Sequence, residues 1–537
     1  MSVSSSLPHV LDHQVPRDHT QAGLAWLPDT ALTLAASSIQ FVPAPSPVTT
    51  PTQSHASSLH SHRQSLDPQP CIIVPRIAPG RADLDKTIGQ DGDALVNLFY
   101  ANFHAAHPFL VPRAMFADQN YPNYLRKVVQ LIGSQYSEAM SNHTLRDVTG
   151  AALDEAGRQP EKQSLHLVQA RLLFSIALHA RNEIKESVSV LAMAVSLALE
   201  IGLDKKEYCA KYEAPSRILA ESVRRTWWEL YVTDGFTAAL QRKTSFLCHT
   251  AMSDVPLPCD ENAYVEGRMV LGEPPSMAQF EARIFSEEDL VFSSFCYRIE
   301  AVKVLAKVLA ISSTQEIEEE QVQAIETTLA AWPHHLPPGK TSALGITGEM
   351  DEMLFQAHML IQYTIIYLHF PRSHLVATVP ATSDIIRQRH LVPFSTRNIH
   401  GVKAIEASKQ LGSLAALHAP VTKHTPFFVF AIVFGAIVQL SALSQAVAGP
   451  REHCRDRISL IIGVLKTVGP IWQFSQAVMC KLRRIAAEVL SINPTTSLQD
   501  GNAEARNNAA EPPWPASLSA VIDMDWMDFL ETDFFGQ

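Results

Sequence analysis

"ESVRRTWWELYVTDGF", Glu221–Phe236, is the stretch whose reading decides the fold. Wound at the helical period, Val223, Trp227, Leu230, Tyr231 and Asp234 share one face, the i, i+3, i+4, i+7 spacing of an amphipathic helix. Trp227 and Trp228 then act as core anchors. Arg225 stands between Glu221 and Glu229 at four-residue spacing. Asp234 falls on the apolar stripe, where a carboxylate needs a buried donor. A guanidinium is the natural partner, because it stays charged and meets a carboxylate bidentately. The expectation is a structural polar network that joins Arg224 or Arg225 to Asp234. The competing reading is a set of solvated ion pairs worth under about 1 kcal/mol each.

The helical period continues outward from this segment. In "ALVNLFYANFHAAHPFLVPRAMF", Leu95, Leu98, Phe99 and Phe103 form one stripe, and Pro108 is expected to stop the helix. "SLHLVQARLLFSIALHARNEIKESVSVLAMAVSLALEIGL" reads as a hairpin of two helices with a turn at Arg181–Glu183 and Gly202 as the C-terminal cap. The hairpin looks like a tetratricopeptide unit, but no fixed-period recurrence follows it. Further helical stretches begin near Glu287, Glu318, Met350, Arg397, Phe427 and Arg455. Few runs alternate with period two. The fold class is therefore all-α, with one helical domain from 93 to 492. "FFVFAIVFGAIV", Phe427–Val438, is short of the roughly 20 apolar residues that a membrane span needs, and reads as a buried core helix.

The flanks differ in composition. Residues 1–92 are rich in Ser, Thr, Pro and His, and such a stretch buries too little apolar surface to offset its ordering entropy, so it is expected to be disordered. A polar, Pro-containing linker, 493–515, leads to an acidic-aromatic segment, 516–537. There Asp525, Trp526, Phe529, Leu530, Phe534 and Phe535 alternate acids with large apolar groups, the composition of an acidic activation segment that docks as an amphipathic helix in a partner's groove. The competing expectation is a helix that folds back on its own domain.

The totals narrow the function classes. A chain of 537 residues with 46% hydrophobic and 18% charged residues has material for two or three sub-cores. Its net charge of −11 gives no overall attraction toward a phosphate backbone. The seven cysteines include no C-x-x-C, and no basic region followed by an apolar run opens the chain, which fits a reducing, intracellular setting. No H-E-x-x-H, G-x-S-x-G, D-D-x-x-D or helix-opening G-x-G-x-x-G occurs. "PPGKTS", Pro337–Ser342, has the ending of a phosphate loop without its first glycine or a leading strand, and reads as a loop. The pairs His104/His107 and His334/His335 lack an acidic or thiol ligand nearby in sequence and read as structural or surface residues. "EIEEE", Glu316–Glu320, reads as an exposed helix start favoured by the helix dipole. An all-helical enzyme of the terpenoid-synthase type would need acidic metal-binding clusters that are not found. No catalytic residue, cofactor or metal is expected.

In order along the chain, "NLFYANFHAAHPFLVPRAMF", "ALEIGL", "RRTWWELYVTDGFTAALQRKTSF" with "DVPLPCDE", "HMLIQYTIIYLHFPRS", "TPFFVFAIVFGAIVQLSAL" and "LIIGVLKTVGPIWQFSQAVMCKLRRIA" resemble the middle homology region of fungal binuclear zinc-cluster transcription factors. Arg224, Arg225, Trp227, Trp228 and Asp234, followed by Asp254 and Pro256, carry the most specific part of that resemblance. It implies a nuclear transcriptional regulator whose helical domain serves regulation or dimerisation, in the manner of activators of secondary-metabolite gene clusters. The implied partners are other transcription factors and, through the tail, the transcription machinery, with no membrane. Family members also carry six clustered cysteines near the N-terminus, whereas here only Cys71 precedes Cys209. DNA contact is therefore expected to be indirect, or to belong to a zinc cluster encoded upstream. The alternative implied role is an interaction protein that sequesters other regulators. "KLRR", Lys481–Arg484, reads as an exposed basic turn of a helix, so nuclear location follows from the resemblance.

Overall fold

The computed structural model describes residues 81–137, 142–268, 272–287, 290–312, 319–345, 348–376, 394–417, 419–445 and 451–491, and eighteen α-helices lie among these described residues. All belong to the unit Cys71–Gln537. The first half contains α1 (Arg81–Asn102), α2 (Arg113–Phe116), α3 (Asn123–Ser134), α4 (Asn142–Gly157), α5 (Leu165–Ala180), α6 (Ile184–Glu200), α7 (Lys206–Glu213), α8 (Arg217–Leu240) and α9 (Leu247–Thr250). The second contains α10 (Glu261–Val265), α11 (Met277–Ala282), α12 (Ser294–Ile311), α13 (Glu319–Ala331), α14 (Glu352–His369), α15 (Phe394–Ala415), α16 (Phe428–Gln445), α17 (Arg451–Val468) and α18 (Gln473–Ser491). Among the described residues no strand forms, and extended pairing is confined to one isolated bridge between Leu344 and Met350.

The hairpin α5–α6 shows how local chemistry sets these boundaries. At the end of α5, Asn182 adopts φ 67°. Its N–H donates to His179 O at 3.0 Å, and the Glu183 N–H donates to Leu178 O at 2.9 Å. At the end of α6, Gly202 adopts φ 76° and the Leu203 N–H reaches back to Ala198 O at 2.8 Å. Both are Schellman closures, which satisfy the orphan carbonyls of a last helical turn through one left-handed residue. The expected turn and the expected cap at Gly202 both stand.

α16 lies at the centre. Phe428 through Ser441 are buried on every face, which an amphipathic surface helix never is. Its entrance residue Phe427 meets His179 of α5 and Phe236 of α8 at ring separations of 4.7 and 5.0 Å. Phe430 stacks on Phe474 of α18 at 5.2 Å, and Phe434 meets Tyr363 of α14 at 5.6 Å. Each such ring contributes about 1.5–3 kcal/mol by leaving water. No helix among the described residues is long and apolar enough to cross a membrane. α15 and α17 flank α16, while α14 bridges α12 to α15.

Three boundaries differ from the sequence reading. α1 begins at Arg81, upstream of the start expected at 93, and ends at Asn102 rather than at Pro108. The following residues pass through a 3-10 turn, His104–Ala106, into a buried irregular segment. The stretch from Arg455 is two helices, parted at Gly469–Pro470 because proline has no N–H for the helical ladder. The tail 516–537, with Asp525, Trp526, Phe529, Leu530, Phe534 and Phe535, lies outside the described residues, as do residues 1–80.

Candidate functional site: the polar face of α8

α8 is buried from Ala220 to Thr233, so Glu221, Arg224, Arg225 and Glu229 face protein on all sides. Glu221 lies at the centre, fully buried. Arg225 Nε donates to Glu221 Oε1 at 2.7 Å, one turn away, and Arg224 Nε donates to Oε2 at 2.9 Å. Arg224 also reaches Glu213 on α7 at 2.6 Å. Burial would push the Glu221 carboxyl up, but Arg225 and Arg224 outweigh it and hold the group below the usual carboxylate range. The Arg225 guanidinium stacks 4.3 Å from the Tyr264 ring centre and stands 3.6 Å from Glu261.

These side chains hold two irregular stretches of backbone. The first is 103–112, where the carbonyls of Ala106 and of Pro108, Phe109, Leu110 and Val111 lie outside the backbone hydrogen bonds of the 3-10 turn and of α2. Arg225 Nη1 donates to Pro108 O at 3.3 Å and Ser222 Oγ donates to Phe109 O at 2.6 Å. Tyr264 donates to Leu110 O at 3.0 Å, Tyr100 donates to Val111 O at 2.7 Å, and Gln356 donates to Ala106 O at 2.9 Å. The second stretch is 254–260. Trp228 Nε1 donates to Pro256 O at 2.9 Å, and Arg225 Nη2 donates to Cys259 O at 2.8 Å. The Cys259 N–H returns a bond to Glu221 Oε1 at 2.9 Å, and Asp254 accepts the Lys206 N–H at the start of α7 at 2.9 Å. A buried backbone group without a partner costs as much as a lost hydrogen bond. The polar face of α8 therefore acts as a clamp on both stretches.

A second ion pair lies two turns further along. Arg298 of α12 grips Glu229 with both terminal nitrogens at 2.6 and 2.8 Å. His107 Nδ1 lies 2.7 Å from the same carboxylate, and all three side chains are buried. Burial raises the Glu229 carboxyl, while Arg298 and then His107 pull it down to about 2. The Phe295 ring separates the two guanidinium groups, 5.7 Å from Arg225 and 5.3 Å from Arg298.

The expected partner of Asp234 is corrected here. Its carboxylate accepts the Cys248 N–H at 3.1 Å and meets neither Arg224 nor Arg225, which lie more than two turns back on the same helix. With no arginine beside it, burial raises the Asp234 carboxyl. The arginine pair turns to Glu221, and Glu229 turns away from Arg225 to Arg298. Trp227 is enclosed and its indole N–H finds no partner, so packing alone holds it, whereas Trp228 has its bond to Pro256. His104 lies 3.0 Å from Leu110 O, and burial lowers its imidazole to about 4. Sequence reasoning named His107 without its acid and did not single out Arg298, because their shared carboxylate lies 122 and 69 residues away along the chain. Chemically the arrangement positions backbone, and its charged groups are spent on one another and on carbonyls.

Residues 96–334 match the family described as the fungal specific transcription factor domain. A relative described as "C6 finger domain transcription factor iacK", from Pestalotiopsis fici, is 28% identical over 440 residues, which cover 81% of this chain and 64% of that protein. The chain thus spans less than two thirds of that relative's length. No solved structure matches it. The Glu221 and Glu229 ion pairs and both clamped stretches lie inside the matched residues. Over residues 96–334 this chain is thus similar to the fungal specific transcription factor domain.

Proposed function

We propose that this protein is a transcriptional regulator, not an enzyme, whose helical domain is a regulatory or dimerisation scaffold and whose C-terminal segment recruits the transcription machinery. The observation that carries the reading is the match of residues 96–334 to the fungal specific transcription factor domain, in a molecule where Ser222, Arg225 and Trp228 of α8 are committed to holding backbone. Activation of a secondary-metabolite gene cluster, from the nucleus, is the more specific reading, supported by the resemblance of the later helical segments. DNA contact is assigned to a zinc cluster outside these residues, carried by a partner or encoded upstream. Within the tail, Trp526, Phe529 and Phe534 supply the apolar contacts, and Asp525 and its acidic neighbours keep the segment solvated.

The test is a reporter assay with the full chain tethered to a heterologous DNA-binding domain. The wild type raises transcription, and replacing Trp526, Phe529 and Phe534 with Ala removes the rise at equal protein level. A tethered wild type that leaves the reporter at baseline or represses it would favour a protein that sequesters other regulators.

A further inference from the structure

Away from α8, three helices bring one carboxylate and two imidazoles to a point. Glu326 lies on α13, His369 closes α14, and His400 lies on α15. His369 Nδ1 and His400 Nδ1 are 2.7 Å apart. Glu326 Oε1 lies 3.5 Å from the first and 3.8 Å from the second. At such a separation at most one of the two nitrogens carries a hydrogen, so at least one lone pair faces the shared space. A four-coordinate zinc ion with bonds of about 2.0–2.2 Å sets its ligands roughly 3.4 Å apart. The observed distances bracket that value, and shifts of well under an ångström would equalise them. We propose that Glu326, His369 and His400 form a binding site for a zinc-class divalent cation.

The donor set fits that class. Two imidazoles and one carboxylate suit borderline divalent ions, and three protein ligands leave a position for water. A cation already sits on the carboxylate: Lys403 Nζ lies 2.7 Å from Glu326 Oε1. The Lys403 side chain is 39% exposed, whereas the two imidazoles are buried. An exposed ion pair is worth under about 1 kcal/mol, so the lysine yields its place at little cost and turns to solvent. Arg372, buried beside the histidines, adds a repulsion that the ion must also overcome. Bound metal would cross-link α13, inside the matched domain, to α14 and α15 beyond it, and raise the stability of the whole by mass action.

The test uses the full chain stripped of metal by a chelator, titrated with Zn²⁺ and followed by thermal unfolding, with Co²⁺ absorption as a second readout. The chain has 22 histidines, so uptake alone decides nothing. The proposal predicts a Zn²⁺-dependent rise in Tm and the visible bands of four- or five-coordinate Co²⁺, both lost in His400→Gln and in Glu326→Gln. Lys403→Ala keeps all three ligands and removes the competitor, so its half-maximal rise comes at lower Zn²⁺ than in the wild type. That variant decides the matter if the ligand substitutions do not fold. No rise in the wild type, a rise undiminished in Glu326→Gln and His400→Gln, or a Lys403→Ala variant that needs as much zinc as the wild type would overturn the proposal.

Discussion

Arg225 and Glu221 form a fully enclosed ion pair, Nε to Oε1 at 2.7 Å, in which each partner also holds the backbone of Cys259: the guanidinium through its carbonyl, the carboxylate through its N–H. One turn of α8 thus reads both sides of a single peptide residue. Arg225→Met should cost about 3–5 kcal/mol, because the buried Glu221 keeps only Arg224 and the carbonyls of Pro108 and Cys259 lose their donor. Arg224→Ala should cost less, about 2 kcal/mol, since Arg225 still neutralises Glu221. Denaturant unfolding measures both, and unchanged midpoints in both variants would rule out the network.

Trp228→Phe keeps one aromatic ring but loses the second ring of the indole together with the bond to Pro256 O. A loss of about 1 kcal/mol is expected for that bond. Trp227→Phe loses no hydrogen bond and is expected to act through packing alone. The same unfolding experiment separates the two.

Acid should weaken the fold in two windows. The His179 imidazole sits among the Phe427, Phe430 and Phe474 rings, and burial lowers it from 6.5 to about 3. Below pH 6.5 the unfolded chain takes a proton there that the folded chain refuses, so stability falls as pH drops from 6.5 toward 3. The slope reaches about 1.4 kcal/mol per pH unit. Glu229, held at about 2 against 4.5 in the free chain, contributes stability above pH 4.5 that is lost as pH falls through 2. His179→Leu should lessen the slope between pH 6.5 and 4.5 by about 1.4 kcal/mol per pH unit, the share of one group, with His104 and other buried imidazoles supplying the rest, and leave the lower window in place, as read from unfolding midpoints across pH.

At Gly133 the backbones of α1 and α3 approach too closely for a side chain to fit between them. A Cβ at this position would lie 2.0 Å from Leu95 O, a backbone atom that cannot rotate away. Gly133→Ala should therefore cost at least about 3 kcal/mol, the upper part of the range for overpacked cores. A thermal scan showing a wild-type Tm would contradict this crossing.

The helices were legible because period and capping act locally: the α5–α6 turn and Gly202 follow from residues within a few positions of one another. Pro470 was legible in principle as a break between α17 and α18. The early end of α1 was not, because the carbonyls of Pro108, Phe109, Leu110 and Ala106 are satisfied by Arg225, Ser222, Tyr264 and Gln356, from distant parts of the chain. The site was legible in part. Residue type announced a charged, aromatic helix with buried polar groups, but spacing along one helix favoured Asp234 as the acid. Partner choice was made in three dimensions, where Glu221 faces Cys259 and Glu229 faces Arg298.

The most direct test of the clamp is amide hydrogen exchange in Arg225→Lys. Lysine keeps the charge beside Glu221 but lacks the fork that spans Pro108 O and Cys259 O. Faster exchange is expected at the amides of 103–111 and 255–259, beyond any change in the α16 amides, which report global opening. Equal acceleration everywhere, or none at the two stretches, would contradict the account.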